Sequence, residues 1–317
     1  MRVPHDSGKK EAPQVSRPRQ RTGRKTVVVA GYLVRFPIGG YFWQAAHYLQ
    51  GFRALGYDVW FYEDTSFYAP AYNPLTGVSE PMYDYGLTTT ARFLERLGLG
   101  NRWGFIDLAR QVAHGPGADT LRQLLQEADL LVNLGGMNHL EPERRGTRPT
   151  IFIDFDPVYT QLRLEQGTPE TRRLFTAYTH LFTFGENIGT GRSPTPTGDC
   201  RWYPTRQPIV LDWWQHPATP GLAYTTIGKW NAEGRDMTYQ GETLQWRKRT
   251  EWLRCLDLPG RTGRPFEVAM DVVNVPGDVA LLAAHGWQVL NPLRVSTDPW
   301  LYKAYIEESR GEFTVAK

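Results

Sequence analysis

The chain has 317 residues, 41% of them hydrophobic and 22% charged, which are ordinary proportions for a globular protein and enough length for two α/β domains that each bury a core. Its formal net charge of +3 is uneven: residues 1–25 carry eight Lys/Arg against two acids, leaving 28 basic and 31 acidic side chains in the remainder, a net of −3. The folded part therefore does not read as a basic nucleic-acid binder, and no run of about 18 apolar residues occurs, as a membrane-spanning helix would need.

Residues 1–25, with Pro13, Arg17, Pro18, Arg19, Arg21, Arg24 and Lys25, have too little apolar content to fold. They read as a disordered basic tail without the apolar stretch of a signal peptide. The β-branched run Thr26–Ala30 predicts a strand buried on both faces. A loop with Pro37, Gly39 and Gly40 follows, then a helix over 42–55 and a strand over 58–63. This unit has the size of a right-handed parallel crossover. A Pro-, Tyr- and Gly-rich loop (66–86) leads to a helix near 90–97, and a helix over 119–127 leads to a strand over 129–134 that ends in Gly135-Gly136. Further strands are expected over 150–154 and 181–185, giving a doubly wound parallel sheet.

A Gly-, Thr- and Pro-rich linker runs over 189–220. A second α/β series then reads as strand 224–228, helix 242–256, strand 266–270, helix 278–285, strand 287–290, helix 299–309 and strand 312–316. The pattern divides the chain into a tail (1–25), an N-terminal Rossmann-like domain (26–212) and a partial C-terminal one (213–317). The latter is expected to be incomplete, because a doubly wound domain usually needs more than about 100 residues. Cys200 and Cys255 have neither metal nor redox spacing, which fits a reducing cytoplasm. The aromatic content of 13%, with 11 Trp and 16 Tyr, leans toward carbohydrate or nucleotide chemistry, although rings also fill cores.

With two tandem Rossmann-like units in view, the chain resembles the GT-B superfamily of glycosyltransferases, near a poorly characterised bacterial group. The resemblance rests on the strand-loop-helix 27–55, Asn133-Leu134-Gly135-Gly136, Ile153-Asp154-Phe155-Asp156-Pro157, the run 182–187 and the segment 309–317. It implies transfer of a sugar from a nucleotide-sugar co-substrate, without further cofactor or metal. The acceptor is then expected on the first domain, the donor on the second, and the chemistry between them. A further Gly-rich segment and a helix packing back on the first domain are expected of such proteins, and neither is read in this sequence.

Candidate site residues follow. Gly39 and Gly40 would let backbone N–H groups approach a phosphate or sugar oxygen, although a tight turn explains them equally; they form neither a Gly-x-Gly-x-x-Gly fingerprint nor a Walker loop. Asp154 and Asp156 share a face if the strand continues and would serve as acceptor ligand or base. As an Asp-x-Asp pair they also permit a rival, metal-dependent GT-A-like reading. His47 lies too far along its helix to match the base of inverting GT-B enzymes cleanly. Glu186, after Gly185, is a cleft carboxylate or a turn acid. In the second domain Lys229 would neutralise the leaving diphosphate and Trp230 would stack on base or sugar. Glu312 would accept from ribose hydroxyls, with Lys317 beside it. A two-domain protein that binds nucleotide or sugar without catalysis is the remaining alternative.

Overall fold

The computed structural model describes residues 23–66, 68–139, 149–215, 221–232, 236–272 and 275–315. The first half runs β1 (Thr26–Ala30), α1 (Gly39–Ala54), β2 (Asp58–Asp64), β3 (Ala71–Asn73), β4 (Val78–Glu80), α2 (Asp84–Arg96), β5 (Trp103–Asp107), β6 (Val112–His114), α3 (Ala118–Glu127), β7 (Leu130–Leu134), β8 (Thr150–Asp154), α4 (Tyr159–Gln166), α5 (Pro169–Thr176), β9 (His180–Thr183) and β10 (Trp202–Pro204). A 3₁₀ turn, Leu211–Trp213, leads to the second half: β11 (Tyr224–Lys229), β12 (Met237–Tyr239), β13 (Glu242–Leu244), α6 (Arg249–Leu253), α7 (Leu258–Thr262), β14 (Phe266–Asp271), α8 (Pro276–Ala284), β15 (Trp287–Leu290), α9 (Leu293–Ser296), α10 (Pro299–Glu307) and β16 (Gly311–Glu312).

The large sheet has the order β10-β9-β8-β7-β1-β2-β5-β6, parallel except for the β5–β6 pair. The chain winds outward from β1 through β2 and β5, then restarts on the other side of β1 at β7. Between β1 and β7 lies the switch point, where an open α/β sheet forms a crevice at its carboxyl edge. The smaller sheet, β15-β14-β11-β16, is parallel throughout and switches between β11 and β16.

Strand alternation explains why β1 is apolar throughout. Val27 and Val29 pack with Phe42, Leu49 and Phe93 on one face, whereas Val28 and Ala30 pack with Leu121, Leu125 and Leu131 on the other. Each such Val, Leu or Phe buried contributes about 1.5–3 kcal/mol. The second core is built around Trp230, Trp252, Phe266 and Trp287, with Phe313 against it.

Several expectations change. The first helix starts at Gly39, so the paired glycines form its first turn rather than a loop. The expected helix 242–256 is a hairpin strand followed by the short α6, because residues 242–244 pair antiparallel with β12. The strands β5, β6 and β10 and the helices α4 and α5 went unread; β10 adds to the first sheet inside the presumed linker. The terminal strand is seen only as Gly311–Glu312, and most of the tail lies outside the described residues.

A helix does pack back on the first half, contrary to the sequence reading. The N-terminal part of α10 lies on α1, where the Trp43 indole N–H donates to the Pro299 carbonyl (2.6 Å) and Trp300 meets Trp43 edge-on at 5.1 Å. Its C-terminal part holds the second half, with Tyr305 Oη donating to Glu267 (2.7 Å). One helix thus ties both sheets together.

Candidate functional site at the facing carboxyl edges

At the carboxyl edge of the large sheet three strand ends converge on a buried polar node. Arg35 and Glu63 are both fully buried, with Arg35 Nε donating to Glu63 Oε1 at 2.9 Å. The backbone N–H groups of Val34 and Arg35 donate to the two Glu63 oxygens at 2.7 and 2.9 Å. The guanidinium also donates to the carbonyls of Tyr68 and Met137, each at 3.0 Å, and to Asn138 Oδ1 at 3.2 Å. Asn138 Oδ1 accepts from the Asp64 N–H (2.9 Å), while Nδ2 donates to the Gly31 carbonyl (2.8 Å). Burial pushes the Glu63 carboxyl up, against the pull of the guanidinium and amide donors. The node fixes the loops after β1, β2 and β7 relative to one another. Sequence reading missed it; an acidic pair, Glu63-Asp64, closing an apolar strand was the available signal.

Aromatic rings cover the switch point. Tyr32 meets Tyr41 at 4.6 Å between ring centres, and Phe36 lies about equally far from Tyr32 (6.0 Å), Tyr41 (6.1 Å) and Tyr68 (6.1 Å). Gly135 and Gly136 are both left-handed, at φ 68° and 69°, which favours glycine. At Gly135 a Cβ would also meet Phe155 at 3.2 Å and Tyr32 at 3.4 Å, so the bare backbone lets the two rings close over the strand end.

The residues singled out from the sequence are dispersed around this edge. Asp154 is 1% exposed, and its carboxylate accepts from Asp156 N–H, Thr160 Oγ1, Gln161 Nε2 and Thr183 Oγ1 at 2.6–3.0 Å. Burial pushes this carboxyl up and those donors pull it back. It anchors the β8–α4 loop and is not open to an acceptor or a metal. β8 ends at Asp154, so Asp156 does not share a strand face with it; Asp156 sits partly exposed in the bend, near Tyr32, whose phenol is raised first by burial, then by Tyr41 and then by the Asp156 charge. The loop is tightened at Val158, whose φ of 74° is unusual for a β-branched residue. Glu186 is half-exposed and paired with Arg206, whose hydrogen bond holds the carboxyl below its ordinary range.

Gly39 and Gly40 occupy the first turn of α1, which has no side-chain cap. Their lack of side chains is used by Tyr302 of α10, because a Cβ on Gly39 would lie 2.3 Å from Tyr302 Cβ. His47 is a packed core residue: its Nδ1 lies 3.0 Å from the Val210 N–H and its Nε2 3.0 Å from the Trp214 indole N–H. Both neighbours are donors, so nothing here welcomes a protonated ring, and burial lowers its pKa to about 4.

In the second half Lys229 ends β11, exposed, in register with Asp271 at the end of β14. The expectation for Trp230 is overturned. Its side chain is fully buried, and its indole N–H donates to Asp278 Oδ2 (2.7 Å), so no ring face remains for a base or sugar. Arg249 also donates to that carboxylate, 2.9 Å to Oδ1. Glu312 is exposed beside the start of β11, near enough to Tyr302 to raise its phenol after burial does, and Lys317 lies outside the described residues.

The two edges face each other. Asp271, at the carboxyl end of β14, lies close enough to Tyr72 of the β3–β4 hairpin for its charge to add to the burial that raises the phenol. Tyr85 Oη donates across the same boundary to the Thr297 carbonyl (3.0 Å).

Comparison with known proteins agrees with this architecture at the level of fold. No protein-family model matches the chain, and no curated protein matches it. Among solved structures, an alpha-glucosyltransferase in complex with UDP and a 13-mer DNA containing a HMU base aligns with TM-score 0.50 at 10% identity, covering 93% of this chain and 73% of that one. The MurG of Acinetobacter baumannii aligns over 90% of this chain and 71% of its own, at 11% identity and TM-score 0.35.

Proposed function

We propose, from a chain that has the GT-B glycosyltransferase fold, that it transfers a sugar from a nucleotide-sugar donor to an acceptor hydroxyl in the cleft between its two sheets. The observation that carries this reading is the approach of the two carboxyl edges, with Asp271 of the second sheet beside Tyr72 of the β3–β4 hairpin, whose N–H donates to the Arg35 carbonyl at the first edge (2.8 Å). Each edge is a ligand crevice in its own right, and facing crevices bring donor and acceptor to one place. Lys229 supplies the exposed cation at the donor edge, where it would stabilise the departing diphosphate. Asp156, partly exposed in the bend after β8, is the carboxylate at the acceptor edge placed to take the hydroxyl proton. Diphosphate neutralisation by the protein, without a metal, belongs to the same proposal.

UDP is the nucleotide to try first, because the aligned glucosyltransferase is in complex with it. Isothermal titration with UDP should give the same affinity with and without EDTA, and Lys229→Ala should weaken it by about 1.5–3 kcal/mol, the scale of a charged hydrogen bond. Binding that disappears with EDTA and returns with Mn²⁺ sinks the metal-free reading. Binding without turnover of any UDP-sugar leaves a nucleotide-binding protein.

A further inference from the structure

The two halves are tied together on both faces of the large sheet, by contacts of different character. Ile153 of β8 belongs to the core that includes Phe42 and Leu49 of α1, whereas the preceding Phe152 packs with Leu164 of α4. Side chains alternate across a strand, so α1 and α4 cover opposite faces. On the α1 face the tie is part of the core: Trp43 is 4% exposed, and Trp300 and Tyr302 of α10 pack against the same cluster. On the α4 face the tie is the β12–β13 hairpin. Trp246, just beyond β13, meets Tyr159 at 4.6 Å between ring centres, and Gln166 Nε2 donates to the Thr238 carbonyl at 2.7 Å. These contacts fall on the first and last residues of α4, so the hairpin lies along the whole helix.

The hairpin is built to move as a unit. Its two-residue loop has Gln240 at φ 51° and Gly241 at φ 84°, the positive pair that suits the twist of a tight hairpin. At its base Asp236 accepts from the Trp246 N–H (2.8 Å) and from Arg247 (3.1 Å), which fixes Trp246 relative to the strands. Gln166 and Thr238 are exposed, and Trp246 and Tyr159 are half-buried. Water therefore replaces the lost partners when this tie parts, whereas separating α10 from α1 would open the core. Position gives the release a consequence. The hairpin follows β11, which ends at Lys229, and α4 starts just after Asp156, so parting them moves the donor edge away from the acceptor edge.

We propose that the β12–β13 hairpin is a latch. Docked on α4 it holds the cleft shut; released, it lets the second half swing about the α1–α10 contact and opens the cleft to ligand. The test compares Trp246→Ala, which removes the ring but keeps the backbone N–H held by Asp236, with Trp246→Phe, which keeps a ring on Tyr159. Small-angle X-ray scattering without ligand should give Trp246→Ala a larger radius of gyration than the unsubstituted protein at unchanged Tm, and Trp246→Phe the original value. In stopped-flow measurements UDP should leave Trp246→Ala about fivefold faster. Only this second arm rests on the nucleotide reading proposed above. If Trp246→Ala lowers the Tm, Gln166→Ala, which removes only the exposed hydrogen bond, takes its place in both arms. An unchanged radius overturns the latch, and so does UDP release at the original rate from an expanded variant. Expansion in a protein that binds no UDP keeps the latch and removes the nucleotide reading. UDP binding with no expansion does the reverse.

Discussion

The two sheets are organised around different kinds of charged node. In the first, Arg35 and Glu63 have no exposed side-chain surface, and every guanidinium contact named above is to protein. In the second, Asp278 is held by Arg249 and Trp230 at the margin of the core, with a third of the Arg249 side chain in solvent. The difference teaches where water can compensate. A charge that loses its partner beside solvent is rehydrated, whereas one sealed under three loops is not. The node that joins the loops at the first sheet's carboxyl edge is therefore also sensitive to the loss of either partner.

Breaking each node with an isosteric amide tests the contrast. Glu63→Gln leaves the guanidinium without a counter-charge and turns an N–H₂ toward groups that themselves donate. Urea unfolding should show a loss of about 3–5 kcal/mol, the scale for a buried pair deprived of one partner. Asp278→Asn should cost about 1–2 kcal/mol, nearer to a single hydrogen bond with a charged group. Equal losses would mean that the two environments do not differ as described.

An intermediate effect is expected from His47, which joins α1 to the segment entering the second half. Its folded pKa of about 4 lies below the ordinary 6.5, so the unfolded chain takes up a proton first as pH falls. The stability that the neutral ring contributes is complete above about pH 6.5 and is lost progressively down to about pH 4, on the order of 3 kcal/mol in all. His47→Gln removes the titrating group, and its stability should vary less over that range. An unchanged pH profile in the variant would assign the acid sensitivity elsewhere.

A smaller effect than that of Glu63→Gln probes the boundary between the halves. Gly39→Ala places a methyl group 2.3 Å from Tyr302 Cβ, which α10 can relieve only by moving off α1. Overpacking of this kind costs about 1–3 kcal/mol. Trp43 and Trp300 lie at the same contact, so tryptophan fluorescence should shift along with the lowered Tm. A variant with unaltered emission and Tm would show that α10 is not held there.

Much of the architecture was legible from local pattern. Runs such as Val27-Val28-Val29 and Leu130-Leu131-Val132 are apolar on both faces because helices cover both sides of a parallel sheet, and that requirement is written residue by residue. Strand ends at Gly135-Gly136 were readable for the same reason, since a left-handed turn restricts the residue itself. Short pieces such as β10 and β13 were not, because pairing with β9 and with β12, rather than propensity, defines them.

The candidate site was less legible than the fold. Asp154 and Trp230 were chosen for what their side chains can do, and both are consumed by contacts with residues 6–48 positions away. Arg35 and Asn138 passed unnoticed, since an arginine or an asparagine in isolation has no signature. Local pattern was enough for the long strands and helices and for the two larger sheets, because periodicity and turn chemistry act within a few residues. Which polar groups find partners is settled by the tertiary fold, because satisfaction depends on groups brought together from distant parts of the chain, as Arg35, Glu63 and Asn138 are.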